Sequence, residues 1–145
     1  MQRAEHRSTR VPLIIVPPRK QQAIRGATCA EAVSLVDLYP TLLEIAQIPP
    51  AEHAQGQSLM PLLKAPDLHT ERAVLTTIGE GNHALSTRDW RYIRYSTGEE
   101  ELYHTAKDPH EWHNLVQSPE SREKLTELQQ KLTSTLQSLP DIRLR

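Results

Sequence analysis

One apolar run near the start of the chain constrains the fold more than any other segment. Residues 11–16 read Val-Pro-Leu-Ile-Ile-Val, and Pro17-Pro18 end the run. A continuous β-branched run of this kind is typical of a strand that is covered on both faces, as in a parallel sheet. Such a strand needs neighbours, and the rest of the chain offers few candidates to supply them. We therefore predict an α/β fold of which this chain carries only a part.

The next segments predict helical structure. The spacing of four apolar side chains predicts a helix over residues 34–47: Leu35, Leu38, Leu42 and Ile45. Asp37 is a suitable N-cap, and it would place Pro40 in the first turn, where a missing N–H costs little. Pro49-Pro50 would end the helix. Residues 56–63 read as a short apolar turn or helical piece.

The second half of the chain predicts a small antiparallel sheet covered by a helix. Residues 73–78 predict a strand, which the glycine-containing segment 79–82 ends. Residues 83–95 predict two strands joined at 87–89, and residues 101–104 a further short strand. Ser118 and Pro119 predict the start of the last helix. A leucine stripe predicts the face that packs on the sheet: Leu125, Leu128, Leu132, Leu136 and Leu139.

Composition excludes several classes of function. The chain has 17 Lys and Arg residues against 18 Asp and Glu residues, a formal charge of -1. This balance argues against a general nucleic-acid binder and against attraction to anionic membranes. The one cysteine, Cys29, permits neither an internal disulfide nor a multi-cysteine metal site. The polar N-terminus and the short apolar run containing Pro12 do not predict a signal peptide, and no run has the length of a transmembrane helix.

A histidine-rich segment and the single cysteine are residue types that occur in catalytic sites, but their sequence surroundings do not match such sites. His110-Glu111-Trp112-His113 resembles a shortened zincin motif, but its histidines are three apart rather than four, and a third histidine, His104, lies upstream. We interpret these histidines as solvated loop residues. Cys29 has no adjacent base or cation, and we interpret it as a small, semi-buried residue rather than a nucleophile.

Arginines and aromatic residues alternate along one predicted strand region. The residues concerned are Arg88, Arg91 and Arg94 with Trp90, Tyr92 and Tyr95. The pattern could form a stacking platform for single-stranded nucleic acid. The pleat of a strand distributes the arginines over both faces, however, so we favour ordinary strand residues whose arginine stems pack on the rings.

The candidate binding residues are Asn82 and His83, which follow the glycine-containing break. Loops at the ends of strands are where α/β folds place ligand contacts. A histidine at this point could donate a hydrogen bond to an anionic or hydroxylated substrate. The alternative is a pair that only stabilises the loop, and composition alone slightly favours it.

Taken together and in order, the segments resemble a known family. The segments are 9–17 (Thr-Arg-Val-Pro-Leu-Ile-Ile-Val-Pro), 33–43 (containing Asp-Leu-Tyr-Pro-Thr), 56–63, 90–95 (Trp-Arg-Tyr-Ile-Arg-Tyr) with 101–103, and 108–115. They are similar to the C-terminal part of type I sulfatases. Residues 76–77 and 81–84 further resemble the iduronate-2-sulfatase-like branch.

The resemblance implies a C-terminal fragment of the alkaline-phosphatase-like α/β fold. Residues 1–80 would be the last strands and helix of the large α/β domain, and residues 81–145 the C-terminal antiparallel sheet with its terminal helix. Sulfatases cleave sulfate esters with a formylglycine made within Cys/Ser-x-Pro-x-Arg, next to a calcium ion. Ala-Glu-Ala follows Cys29, so the nucleophile, the metal ligands and the sulfate-binding residues would lie upstream of Thr9.

The resemblance also implies what such a chain does and with what. We expect no catalytic residue, metal ligand or cofactor in this chain, and substrate contact only at Asn82 and His83. The expected partners are the missing N-terminal sulfatase part and a sulfated glycan or other sulfate ester, not nucleic acid or a membrane. Full-length relatives are expected to be periplasmic or secreted. The alternatives are a non-catalytic binding module derived from a sulfatase and, third, a nucleic-acid-binding sheet.

We predict that the chain alone is poorly stable. The strand over residues 11–16 would lack its sheet partners and expose a hydrophobic edge. Thermal unfolding followed by circular dichroism, together with light scattering, tests this. A cooperative transition in a monodisperse preparation would contradict the prediction.

Overall fold

The computed structural model describes residues 9–18 and 23–139. They divide into two compact units, one of residues 11–74 and the other of residues 75–139 together with residues 9 and 10. The assignment of residues 1–80 and 81–145 to sulfatase domains is a separate question and stays a prediction. No helix within the described residues has the length and apolar character needed to cross a membrane.

The predicted strand over residues 11–16 does not form in this structure. Residues 11–18 belong to no helix or strand. Two of the side chains are largely exposed, Ile14 at 84% and Val16 at 79%. A strand exists only where a neighbour accepts and donates its backbone hydrogen bonds. The strand prediction is therefore wrong for this structure, because the described residues supply no partner for it.

The helical part of the first unit is shorter than predicted. A 3₁₀ turn, Leu35–Asp37, leads into helix α1, Leu38–Ile45, with Asp37 as its N-cap and Pro40 in its first turn. The helix ends before the two prolines because Gln47 adopts a left-handed conformation with φ of 58°. The Ile48 N–H then donates to the Leu43 carbonyl at 2.9 Å, which closes the helix end. Helix α2 follows at Met60–Lys64.

The Asp37 carboxylate joins three segments of this unit. Asp37 is 4% exposed, and its oxygens accept hydrogen bonds from the Ser34 N–H at 2.8 Å and the Gln57 N–H at 2.8 Å. Arg72 donates to the same carboxylate at 2.6 Å from Nη2. One buried charge therefore connects the start of α1, the loop before α2 and the segment that enters the sheet.

A close backbone approach explains the glycine in the loop before α2. A Cβ atom on Gly56 would lie 2.1 Å from the Val36 carbonyl oxygen. Any larger residue would push the loop away from the 3₁₀ turn. The Asp37 carboxylate could then no longer reach the Gln57 N–H.

The second unit is built on a four-stranded antiparallel sheet in the order β1-β2-β3-β4. The strands are β1, Val74–Thr77; β2, His83–Ser86; β3, Arg91–Arg94; and β4, Glu100–Tyr103. The 3₁₀ turn Pro119–Ser121 begins at the N-cap Ser118 and leads into helix α3, Arg122–Ser138. The predicted meander and terminal helix are thus confirmed.

The two faces of the sheet are buried in different ways. On one face Leu85 pairs with Tyr92 and Tyr92 with Leu102. These three are fully buried, as are Leu128 and Leu132 of the leucine stripe on α3, which packs against β3. The opposite face carries a cluster of Ala84, Ile93, Tyr95 and Tyr103. Leu139 lies beyond the end of the helix and is 41% exposed.

A buried ion pair lies on the sheet face that carries Ala84 and Ile93. Arg91 is 2% exposed; its Nε lies 3.5 Å from Glu111 Oε1, and its Nη1 donates to Ser86 Oγ at 2.9 Å. Burial lowers the pKa of Arg91, and the Glu111 carboxylate opposes that effect. Glu111 has a φ of 56°, so the loop adopts an unfavourable backbone conformation at the residue that compensates the arginine.

Replacing Asp37 tests whether its carboxylate holds the first unit together. Asp37→Ala leaves the Arg72 guanidinium without its carboxylate and two N–H groups without an acceptor. We expect the unit to lose about 3–5 kcal/mol of stability. Hydrogen exchange of the α1 and α2 amides measures this loss. Asp67→Ala removes the same charge from an exposed turn and should change stability by less than about 0.5 kcal/mol; equal effects would show that the Asp37 contacts are not stabilising.

Candidate functional site

His83 lies at the first position of β2, directly after the turn that contains the two glycines. Gly79 and Gly81 both have positive φ, 68° and 73°, which lets the chain reverse between β1 and β2. The Nδ1 atom of His83 lies 3.0 Å from Thr77 Oγ1 at the end of β1. A hydroxyl can donate or accept, so Thr77 leaves His83 Nε2 able to act as a donor or an acceptor.

The electrostatic environment keeps the His83 ring neutral. Partial burial lowers the pKa of His83 below its ordinary value of 6.5, and the positive charge of Arg94 lowers it further. The register of the sheet explains the second effect, because His83 and Arg94 are directly paired across β2 and β3. A neutral imidazole offers one N–H donor and one acceptor at pH 7.

Arg94 is the residue that sequence reasoning missed. It is half-buried, and within residues 9–18 and 23–139 its guanidinium has no hydrogen-bond or ion-pair partner. The observed strands are joined by residues 87–90, which pairs residue 83 with residue 94. A hairpin centred on the predicted turn at 87–89 would instead pair residue 83 with residue 93, so the sequence did not indicate this neighbour. The arginine was instead assigned to the aromatic strand pattern as an ordinary strand residue.

Asn82 has a structural role in this turn. Its Oδ1 accepts hydrogen bonds from the Ser96 N–H at 3.1 Å and the Ser96 hydroxyl at 3.4 Å. Its Nδ2 donates to the Glu80 carbonyl at 3.1 Å. The side chain therefore connects the β1–β2 turn to the turn after β3. A contact of Asn82 with substrate stays a prediction, as does that of His83.

The other histidines form no common site. The His104 ring lies against Trp90, with centroids 4.4 Å apart, and the His110 ring stacks on the exposed Trp112 at 4.9 Å. The His113 N–H donates to the Asp108 carboxylate at 2.8 Å. In the part of the chain that the structure describes, no three His, Cys, Asp or Glu side chains come together as metal ligands would.

The structure also shows where Cys29 and the arginines of β3 lie. Cys29 is exposed rather than semi-buried as interpreted from sequence. The predicted distribution of arginines over two sheet faces is found, since Arg91 is buried beside Glu111 whereas Arg94 lies beside His83 on the opposite face. A continuous stacking platform is therefore not formed along β3.

Known proteins are similar to this chain in sequence and in fold. Residues 3–138 match the family model described as N-sulphoglucosamine sulphohydrolase, C-terminal. The chain belongs to this sulfatase family. It is 30% identical to a sulfatase of Formosa agariphila, covering 88% of this chain and 25% of that protein. It is 34% identical to arylsulfatase K of Gallus gallus, covering 90% of this chain and 28% of that protein.

Solved structures agree with the family and its alkaline-phosphatase-like fold. A 2-O GAG sulfatase is 27% identical with a TM-score of 0.57, covering 70% of this chain and 24% of that one. A protein solved with its substrate D-glucosamine-2-N,6-O-disulfate is 25% identical with a TM-score of 0.58, covering 74% of this chain and 25% of that one. The chain thus spans about a quarter of the length of its relatives, and it is the C-terminal part of the sulfatase fold that is shared.

The pKa of His83 gives a direct test of this geometry. We expect the His83 ring to titrate below 6.5 in a two-dimensional NMR titration, because both burial and Arg94 disfavour its charged form. Arg94→Met removes one of these causes, so the midpoint should move upward. Arg122→Met, which removes an equal charge from the exposed start of α3, should leave it unchanged. A His83 midpoint at or above 6.5 would contradict the structure.

Proposed function

We propose that this chain forms the C-terminal part of a sulfuric ester hydrolase that acts on sulfated glycans, and that it contributes substrate contacts rather than the nucleophile. The observation that carries this is the His83–Arg94 pair, a histidine donor beside a cation that has no direct partner among the described residues, in a chain that belongs to the sulfatase family. Relatives described as a 2-O GAG sulfatase and an ulvan-active sulfatase support a glycan as the substrate class.

The nucleophile and the metal ligands would come from outside this chain. Ala-Glu-Ala follows Cys29, so the segment lacks the x-Pro-x-Arg context in which sulfatases make formylglycine. Chemistry of this kind needs a cation close to the sulfate, because negative charge builds on the sulfate oxygens and on the leaving group.

Within the family, we assign the chain to the iduronate-2-sulfatase-like branch. The residues that support this are 76–77 and 81–84, which include the His83 turn and the hydroxyl that contacts it. Substrates of that branch would carry an anionic sugar next to the ester. This agrees with a cationic residue on the substrate side.

The expected partner is the N-terminal part of a sulfatase. The first unit exposes apolar side chains on residues 11–16 and on one side of the first helical segment, including Leu35 at 61% and Leu42 at 61%. Beside them a cavity of about 590 Å³ is lined mainly by residues 13–17, 24–29 and 59–66. Apolar surface of this extent is typical of an interface, and residues 11–16 have the composition of a strand that joins another sheet.

A grafted enzyme tests the proposed role of His83. The chain would replace the corresponding C-terminal quarter of the Formosa agariphila sulfatase to which it is 30% identical. We expect His83→Ala to lower kcat/KM on a sulfated oligosaccharide about two- to tenfold, as loss of one hydrogen bond would.

A matched control distinguishes this from a general loss of structure. His113→Ala removes an imidazole from an exposed loop position and should leave kcat/KM unchanged. If His83→Ala keeps full kcat/KM on every sulfated substrate tested, the substrate role of His83 is wrong. If the graft folds and binds sulfated glycan but releases no sulfate, the alternative of a non-catalytic binding module is favoured.

A further inference from the structure

We propose that Arg94, together with His83 and Thr77, binds an oxyanion of the substrate that does not react: a carboxylate or a second sulfate on the sugar. The inference rests on the proposed function and deepens it. It assigns the binding site to the ends of three adjacent strands rather than to the Asn82–His83 turn alone.

The carboxylate nearest to Arg94 across the sheet is already engaged. Glu100 lies directly opposite Arg94 across β3 and β4. Its Oε1 accepts a hydrogen bond from the Tyr92 hydroxyl, and both of its oxygens lie 3.0 Å from Gln129 Nε2 on α3. The carboxylate is therefore held toward Tyr92 and the helix. Among the described residues Arg94 makes no direct ion pair with it, although the charge of Arg94 acts on the neighbouring Tyr92 hydroxyl.

The Arg94 guanidinium, which has no direct ion-pair partner among the described residues, is also half-buried. Removing a guanidinium from water without a partner is unfavourable, and its field is strong enough to contribute to the lowered pKa of His83. An anion placed beside Arg94 would relieve both effects. A fully solvated arginine would gain much less from such a ligand.

The uncharged side chains of His83 and Thr77 lie next to this cation. The His83 ring is held by Thr77 at 3.0 Å on one nitrogen, and its other nitrogen has no hydrogen-bond partner within the described part of the chain. A guanidinium presents two parallel N–H groups that match the two oxygens of a carboxylate or sulfate. The neighbouring imidazole can donate to a third oxygen or to a sugar hydroxyl. This combination recognises a charged sugar better than a neutral one.

Asn82, in the turn before β2, has a structural role rather than a binding role. Its amide is occupied by Ser96 and by the Glu80 carbonyl. It fixes the backbone that precedes His83 and so acts as a positioning residue. Within the described residues, His83 Nε2 and the Arg94 guanidinium remain without a hydrogen-bond partner.

Titration of the chain with three simple sugars tests the site. The probes are methyl glucuronide, which carries a carboxylate; methyl glucoside 6-sulfate, which carries a sulfate; and uncharged methyl glucoside. NMR of the His83 ring and the Arg94 Nε–Hε group reports binding. We expect at least one anionic sugar to shift both signals and the uncharged sugar to shift neither. The anionic probe that binds more tightly identifies the source of the oxyanion.

Three variants assign the binding to Arg94. Arg94→Met should weaken binding of the anionic probe about tenfold or more, since a charge-assisted hydrogen bond is lost. Arg94→Lys keeps the charge without the paired N–H groups and should bind with intermediate affinity. Arg122→Met, at the exposed start of α3, should bind within about twofold of the unchanged chain. Amide spectra of β3 show whether each variant keeps the sheet, and Arg94→Lys decides the question if Arg94→Met does not.

The outcomes separate this inference from the proposed function. If no anionic probe shifts the two signals, or if Arg94→Met binds as well as Arg122→Met, the oxyanion site is wrong. The grafted enzyme then tests the proposed function separately. A loss of kcat/KM in His83→Ala would support substrate contact by His83 even though Arg94 binds no oxyanion. If His83→Ala also has no effect, both proposals fall.

Discussion

The Glu100 carboxylate is the group on which the arrangement of the sheet unit depends. It accepts hydrogen bonds from Tyr92 in the sheet and from Gln129 on the terminal helix. These contacts join helix and sheet at the edge of a fully buried apolar layer. Burial and the adjacent carboxylate both raise the pKa of Tyr92, so its hydroxyl remains a donor at neutral pH. Because Glu100 is committed to this role, the arginine opposite it is left for another anion.

The first unit depends on a comparable buried carboxylate, but with a different consequence. Asp37 organises the polar side of the unit, and Arg72 balances its charge. The apolar side remains uncovered, most clearly at Ile14 and Val16. The unit does bury Leu59, Met60 and Leu62, but apolar surface exposed to the extent of residues 14 and 16 is typical of an interface.

Sequence reasoning predicted the elements of the fold where local signals and packing agree. The antiparallel meander follows from turn residues and alternation, and the terminal helix follows from its leucine stripe and Ser118-Pro119 start. The strand over residues 11–16 was wrong for this structure because a strand depends on partners that lie elsewhere. The helix end at Ile45 was missed because Gln47 takes a left-handed conformation that its side chain does not signal.

The candidate site was predictable only in part. A histidine after a glycine turn is visible in the sequence. The importance of Arg94 is not, because it depends on the hydrogen bonds that Glu100 makes with Tyr92 and with Gln129, which is 29 residues further along the chain. The roles of Asn82 and Asp37 likewise depend on tertiary hydrogen bonds to Ser96 and to Gln57 and Arg72.

We propose that this chain supplies the substrate side of a sulfatase and not its catalytic groups. Sulfate release from a sulfated disaccharide can be measured for the chain alone and for the chain joined to the N-terminal part of a related sulfatase. We expect no release by the chain alone and turnover by the joined protein. Release of sulfate by the isolated chain would show that the proposed division of roles is wrong.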